Sequence, residues 1–309
     1  MQGTELNVVT GAFGYTGKYI TRRLLSMGKR VRTLTGHPHR ESPFAYQVTA
    51  FPFNFENPSE LTDSLRGATT LYNTYWVRFP RGDVTFDRAV ENTKTLIKAA
   101  EEAGVRRLVH ISITNASEDS PLPYFRGKGL VEKAIINSKL SYAIIRPTVV
   151  FGAEDILVNN IAWLLRKFPL FAILGRGDYR IQPIYVEDVA DIAVQAAQVD
   201  DNMVVDAVGP ELYTFEELVR LIAEKVHSKA RIVHVRPGLA LLLARLVGYV
   251  VKDVVLTKDE IGGLMSSLLV SDGPPAGRTR FSQWLEQNAH TVGTGYASEL
   301  NRHYRTAKG

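Results

Sequence analysis

Within its first 147 residues the chain repeats one pattern: a short apolar run, then a turn or an amphipathic stretch, then another apolar run. The runs Leu6–Thr10, Arg30–Thr35, Gln47–Pro52, Thr70–Asn73, Arg107–Ile113 and Tyr142–Pro147 are too short for helices and end at Gly, Pro or polar residues, so they read as buried strands. Helical spacing predicts helices over Gly14–Met27, Pro58–Leu65, Val84–Ala103 and Tyr124–Asn137. Pro58 suits a first helical turn and Gly104 a C-cap. Strands and helices alternating through short connections require parallel strands joined by right-handed crossovers. The expected fold is therefore α/β, a doubly wound parallel sheet with a smaller C-terminal α/β lobe.

We place the main domain at 1–150 and the smaller cap lobe at 151–309. A helix at Val186–Gln198 and a strand at Val204–Val208 make 186–208 a return to the main sheet, and Arg180–Tyr185 reads as one strand. Thr214 with Glu217, and Thr257 with Glu260, spell capping boxes.

Composition narrows the function classes. The 309 residues include no cysteine, which excludes disulfides, thiolate metal sites and cysteine nucleophiles; no metal site is expected. The net charge of +5 is scattered rather than gathered in a stripe, which argues against nucleic acid as a partner. No signal-peptide pattern opens the chain, and the expectation is a cytoplasmic protein, monomer or homodimer. The apolar segment Leu239 to Val251 is too short to span a bilayer and carries Arg245. It reads as a buried helix, with peripheral contact to lipid or quinone as the alternative.

Gly11, Gly14 and Gly17 form G-x-x-G-x-x-G directly after a strand and at the opening of a helix. That context marks a dinucleotide phosphate loop, with Phe13, Tyr15 and Thr16 as its other residues. The fold is then a Rossmann fold. No carboxylate ends the second strand, whereas Arg32, His37, His39 and Arg40 supply positive charge there. This favours NADP(H), with NAD(H) as the alternative. Asn54, Asn73, Thr74, Ser112 and Pro147 lie at or just past strand ends and join the candidate cofactor contacts.

Tyr124 and Lys128 spell Y-x-x-x-K at the start of a helix, where residues four apart share a face. A cation beside a phenol favours phenolate, bringing a pKa near 10 toward the working range of a proton carrier. Thr114, at the end of the fifth strand, is placed to hydrogen-bond a reacting oxygen. The same spelling recurs at Tyr304 and Lys308, where no strand precedes it, so position rather than spelling singles out Tyr124. Tyr75 and Trp76 follow the fourth strand and read either as the wall of an apolar substrate pocket or as packing.

These residues, with Asn92 and Arg146–Pro147, resemble the short-chain dehydrogenase/reductase superfamily in its extended or atypical branch. The stretches YFRGKGLVEKAI (124–135), IIRPTVVFGAED (144–155) and IQPIYVEDVAD (181–191) look more closely like the NAD(P)H-binding accessory subunits of respiratory complex I and their bacterial relatives. The resemblance implies Tyr124 as acid/base, Lys128 on the nicotinamide ribose, and Thr114 as hydroxyl partner. The segment between Thr114 and Tyr124 is shorter than in sugar-nucleotide epimerases, which argues against a sugar-nucleotide substrate.

Three functions compete. One is NADPH-dependent reduction of a carbonyl or quinone-like apolar small molecule. Another is a non-catalytic NADP(H)-binding assembly or regulatory protein. The third is an epimerase or dehydratase with tightly held NAD. Fold alone does not choose among them.

Overall fold

The structure, a computed structural model, describes residues 5–38, 40–236, 238, 248, 251–253, 257–298 and 300. His39, the Tyr304–Lys308 repeat, and all of the 239–251 segment except Gly248 and Val251 lie outside the described residues. The chain divides into two units, one of residues 1–147 with 186–207 and one of 148–185 with 208–309.

The first unit is built on a seven-stranded parallel sheet. Six strands come in chain order: β1 (Leu6–Thr10), β2 (Arg30–Leu34), β3 (Val48–Phe51), β4 (Ala68–Asn73), β5 (Arg107–Ile111) and β6 (Ser141–Pro147). Across the sheet the order runs Met203–Ala207, β6, β5, β4, β1, β2, β3. Chain direction across the sheet reverses between β1 and β4, which makes that pair the switch point where α/β sheets bind ligands. Helices α1 (Tyr15–Ser26), α2 (Pro58–Leu65), α3 (Phe86–Glu102) and α4 (Pro123–Ile136) supply the crossovers, and Val186–Ala196 packs beside α1. Arg22–Glu187 and Arg23–Asp191 ion pairs line that helix pair.

Most expected elements form within two residues of their sequence-based bounds, for local reasons. The helix expected from Val84 starts at Phe86 because Arg81 and Val84 first close a tight bridge and the Thr85 hydroxyl then accepts the Arg88 amide at 3.1 Å. Val8, Leu71, Leu96, Leu108 and Ile144 make the core between the sheet and α2, α3 and α4. Each such side chain contributes about 1.5–3 kcal/mol by leaving water.

A buried charge braces the far edge of this sheet. Arg107, at the start of β5, is fully buried. Its guanidinium donates to the Ala196 carbonyl at 2.9 Å, the Asp201 carbonyl at 3.0 Å, and the Ser141 hydroxyl. It thereby ties β5 to the loop that leads into Met203–Ala207.

The second unit has its own core of Phe151, Val158, Ile161, Phe215, Leu218, Phe281 and Trp284. Leu170–Leu174 pairs in parallel with Arg231–Val235. The single strand expected over Arg180–Tyr185 is two short pieces, Arg180–Ile181 and Ile184–Tyr185. Pro183 lacks an N–H to continue a ladder, and its carbonyl lies where a Cβ on Gly209 would sit, 1.9 Å away. The Thr214–Glu217 capping box forms, opening Phe215–Lys225. Among the described residues no helix is long and apolar enough to cross a membrane, and no three His, Asp or Glu side chains gather as a metal site requires.

Replacing Arg107 by Met strips the buried Ala196 carbonyl and the half-buried Asp201 bond of their donor. Urea unfolding should show a loss of about 3 kcal/mol, and a loss below about 1 kcal/mol would refute the role assigned to this side chain.

Candidate functional site

At the switch point the glycine loop takes the shape its residues require. Gly11 sits at φ 64°. Its amide donates to Leu34 O at 2.8 Å, and the Ala12 amide to the Thr33 hydroxyl at 3.0 Å. The Gly14 amide turns back to Gly11 O at 2.8 Å. A Cβ on Gly17 would lie 2.2 Å from Gly11 O, so only glycine lets the helix press on the loop. Phe13 is buried against Phe44. Helix α1 then opens at Tyr15 and Thr16 with no side-chain cap on Gly14 and no acid in its first turn. The partial positive charge of that terminus favours an anion beside the loop.

At the end of β2 the basic side chains have separate partners. Arg32 lies mid-strand and its guanidinium donates to Ser64 O at 2.6 Å and Arg66 O at 3.3 Å, over the Phe51 ring. It closes the C-terminal end of α2. His37 is at the strand's end, its amide held by the Thr35 hydroxyl at 3.1 Å, and Arg40 follows in the same turn. Asn54 takes a left-handed φ of 46°, and its amide donates to Glu60 at 2.8 Å, so its side chain serves the turn into α2.

The nicotinamide side carries a buried polar chain. The Thr10 hydroxyl accepts the Thr74 amide at 2.7 Å and donates to Asn73 Oδ1 at 3.1 Å. The Thr74 hydroxyl donates to Thr10 O at 2.5 Å. Asn73 Oδ1 also accepts the Tyr75 amide at 3.0 Å. Two donors on that oxygen orient the amide, so Asn73 Nδ2 donates to His110 Nδ1 at 3.1 Å and the imidazole carries its proton on Nε2. Burial and the Lys128 charge hold His110 well below the usual imidazole range, hence neutral.

Lys128 is buried beside this chain. Its Nζ donates to Ile111 O at 2.9 Å and sits 4.7 Å from the centre of the Trp76 ring. Burial pushes its pKa down to about 7, with Glu132 opposing. Tyr124, half-buried, meets the same indole edge-on at 5.9 Å and the Phe86 ring at 5.8 Å. Tyr75 is held by Asn92, which donates to its hydroxyl at 2.8 Å, and by the Phe53 and Phe55 rings.

Thr114 is buried past the end of β5, its amide on Pro147 O at 3.0 Å. Ser112, two residues earlier, spends its hydroxyl on Glu132. Glu132 also takes Arg146, whose Nε lies 3.0 Å from Oε1, and this pairing raises the Arg146 pKa. The structure thus gathers Tyr124, Lys128, Asn73, Thr74 and Trp76 into one region and gives Ser112 a different task. Sequence reasoning missed His110 and Glu132. The signals were a lone histidine inside an otherwise apolar strand and a carboxylate four residues beyond Lys128.

The chain is similar to known proteins in sequence and fold. Residues 11–158 match the NAD(P)H-binding family. The chain is 27% identical over 286 residues to the mitochondrial NADH dehydrogenase (ubiquinone) 1 alpha subcomplex subunit 9 of Arabidopsis thaliana, covering 85% of this chain and 70% of that protein. It is 25% identical over 238 residues to the ceramide reductase of Caulobacter vibrioides, covering 75% of this chain and 74% of that protein. The triphenylmethane reductase of Citrobacter, solved with NADP(H), superposes with a TM-score of 0.70 at 18% identity, covering 91% of this chain and 99% of that one.

The depressed Lys128 pKa has a stability consequence. Its folded value, about 7, lies below the ordinary 10.5, so the lysine weighs against folding in full below about pH 7, and the burden fades as pH rises toward 10.5. Lys128→Met should therefore gain stability relative to wild type at about pH 6 compared with about pH 9 in urea titrations. An offset independent of pH would refute the buried, desolvated amine.

Proposed function

We propose that the chain is an NADPH-dependent reductase, a reading supported by the match of residues 11–158 to the NAD(P)H-binding family. Its substrate class is a carbonyl or quinone-like small apolar molecule. The observation that carries this reading is the placement of Tyr124 and Lys128 on one face of α4, against one indole, beside the switch point of the sheet. When bound, the dinucleotide supplies a hydride. The glycine loop and the α1 terminus hold its pyrophosphate. His37 and Arg40 meet the 2′-phosphate, and no carboxylate stands between Thr35 and Arg40 to oppose it. Tyr124 gives its hydroxyl proton to the substrate oxygen, and the Thr114 hydroxyl holds that oxygen. Lys128 holds the nicotinamide ribose, and its charged form draws the tyrosine pKa down. Tyr75 and its aromatic neighbours exclude water from that side.

One observation favours a second reading, in which the domain holds the dinucleotide without turnover as part of a larger assembly. The Lys128 amine is already taken up by Ile111 O and the Trp76 face. The relationship to a respiratory-complex subunit supports the same reading.

Titration with NADPH and NADH, followed by oxidation assays with quinones and aldehydes, separates the two. The reductase reading expects tighter NADPH binding and oxidation that depends on substrate, with Tyr124→Phe lowering turnover by roughly 100-fold or more at unchanged NADPH affinity. Binding without oxidation across the panel would replace it with the second reading, and Tyr124→Phe turning over normally would remove Tyr124 from the chemistry.

A further inference from the structure

We propose that Trp76 is the gate of the nicotinamide end: its indole covers the Lys128 amine, and the dinucleotide's ribose reaches that amine only when the indole leaves. The inference rests on the dinucleotide reading above and goes beyond it by naming the residue that controls access.

Four observations place the indole in competition with a ligand. Its face lies 4.7 Å from Lys128 Nζ, an amine that donates to Ile111 O. Its edge rests on the backbone of α4, so that a Cβ on Gly127 would lie 2.8 Å from Trp76 Cη2. Gly127 is thus the notch that lets the ring lie flat between Tyr124 and Lys128. Phe86 stacks on the indole at 6.0 Å and 12°, while Tyr124 closes it edge-on at 5.9 Å. The seat is therefore shaped and occupied on the face shared by the two groups of the Y-x-x-x-K pair.

The seat is also incomplete. Trp76 Nε1 is buried, and among the described residues it has no hydrogen-bond partner. A buried N–H without an acceptor is a standing cost that a second position of the ring relieves. The segment Thr74–Val77 has no regular secondary structure, while its start is pinned through the Thr74 amide to Thr10. A swing of the ring therefore leaves the β1–β4 tie intact.

Attraction between ring and amine then works against the ligand. Binding at the nicotinamide end pays for displacing the indole, so the apparent affinity falls by the fraction of molecules in the open state. The adenosine and pyrophosphate contacts, made at the glycine loop and the end of β2, do not pay it.

The test titrates wild type, Trp76→Phe and Trp76→Ala with NADPH and, in parallel, with 2′,5′-ADP, which has the adenosine end and no nicotinamide. The gate expects Trp76→Ala to bind NADPH roughly tenfold more tightly, with Trp76→Phe in between. The affinity for 2′,5′-ADP stays unchanged. In stopped-flow mixing the wild-type binding rate levels off with NADPH concentration, as ring opening becomes limiting, and loses that plateau in Trp76→Ala. If NADPH binds the variants no better while 2′,5′-ADP binds normally, the gate is wrong and the dinucleotide reading stands. Should Trp76→Ala not fold, a wild-type rate that rises linearly with NADPH to the mixing limit overturns the gate without any variant. If wild type binds neither molecule, the dinucleotide reading falls and takes the gate with it.

Discussion

The hydroxyl of Thr10 is the joint on which the site depends. It stands at the end of β1, one residue before the glycine loop, and holds both Asn73 and the Thr74 amide at the end of β4. Those strands flank the switch point, so one buried side chain sets the spacing between the phosphate loop and the Tyr75–Trp76 segment. Every member of this joint is buried or nearly so, and a buried polar group is stable only when its partners are in place. The oriented Asn73 amide then fixes the His110 tautomer, and neutral His110 beside Lys128 avoids placing two cations in one dry region.

Along α4 the same region is organised by helical spacing. Tyr124, Lys128 and Glu132 follow one another at intervals of four and share a face. Glu132 anchors the carboxyl ends of β5 and β6 through Ser112 and Arg146, and its charge opposes the loss of the Lys128 proton. The helix thus carries a phenol, a buried amine and a fixed counter-charge in that order. Two glycines let neighbours close on this helix: Gly127 admits the Trp76 ring between Tyr124 and Lys128, and Gly129 admits the backbone of Ser117 and Glu118.

This arrangement connects the two functional readings physically. Turnover needs the Lys128 amine and the Tyr124 hydroxyl open to a bound ribose and a substrate oxygen. Retention without turnover needs only the loop, the α1 terminus and the end of β2. On the readings proposed above, both requirements fall to one domain and differ by the position of the Trp76 ring. An NAD(P)H-binding domain related both to a respiratory-complex subunit and to reductases is compatible with either use.

What the sequence determined by itself is everything carried by local periodicity and local chemistry. The alternation of apolar runs and helical stretches specified the doubly wound sheet. The glycine triplet specified the loop, Thr214 with Glu217 specified a cap, and the four-residue spacing put Tyr124 and Lys128 on one face. What only the tertiary structure decided are the partners across strands, because they depend on which elements become neighbours. Arg32 reads as a phosphate ligand until α2 is seen to offer it two carbonyls. Ser112 reads as a cofactor contact until Glu132 claims its hydroxyl. Arg107 reads as one of many surface cations until the loops after Val186–Ala196 close around it. Trp76 lies 52 positions from Lys128 in the chain, and nothing local could bring the indole onto the amine. That contact joins the segment after β4 to the helix after β5, strands that are neighbours only in the assembled sheet.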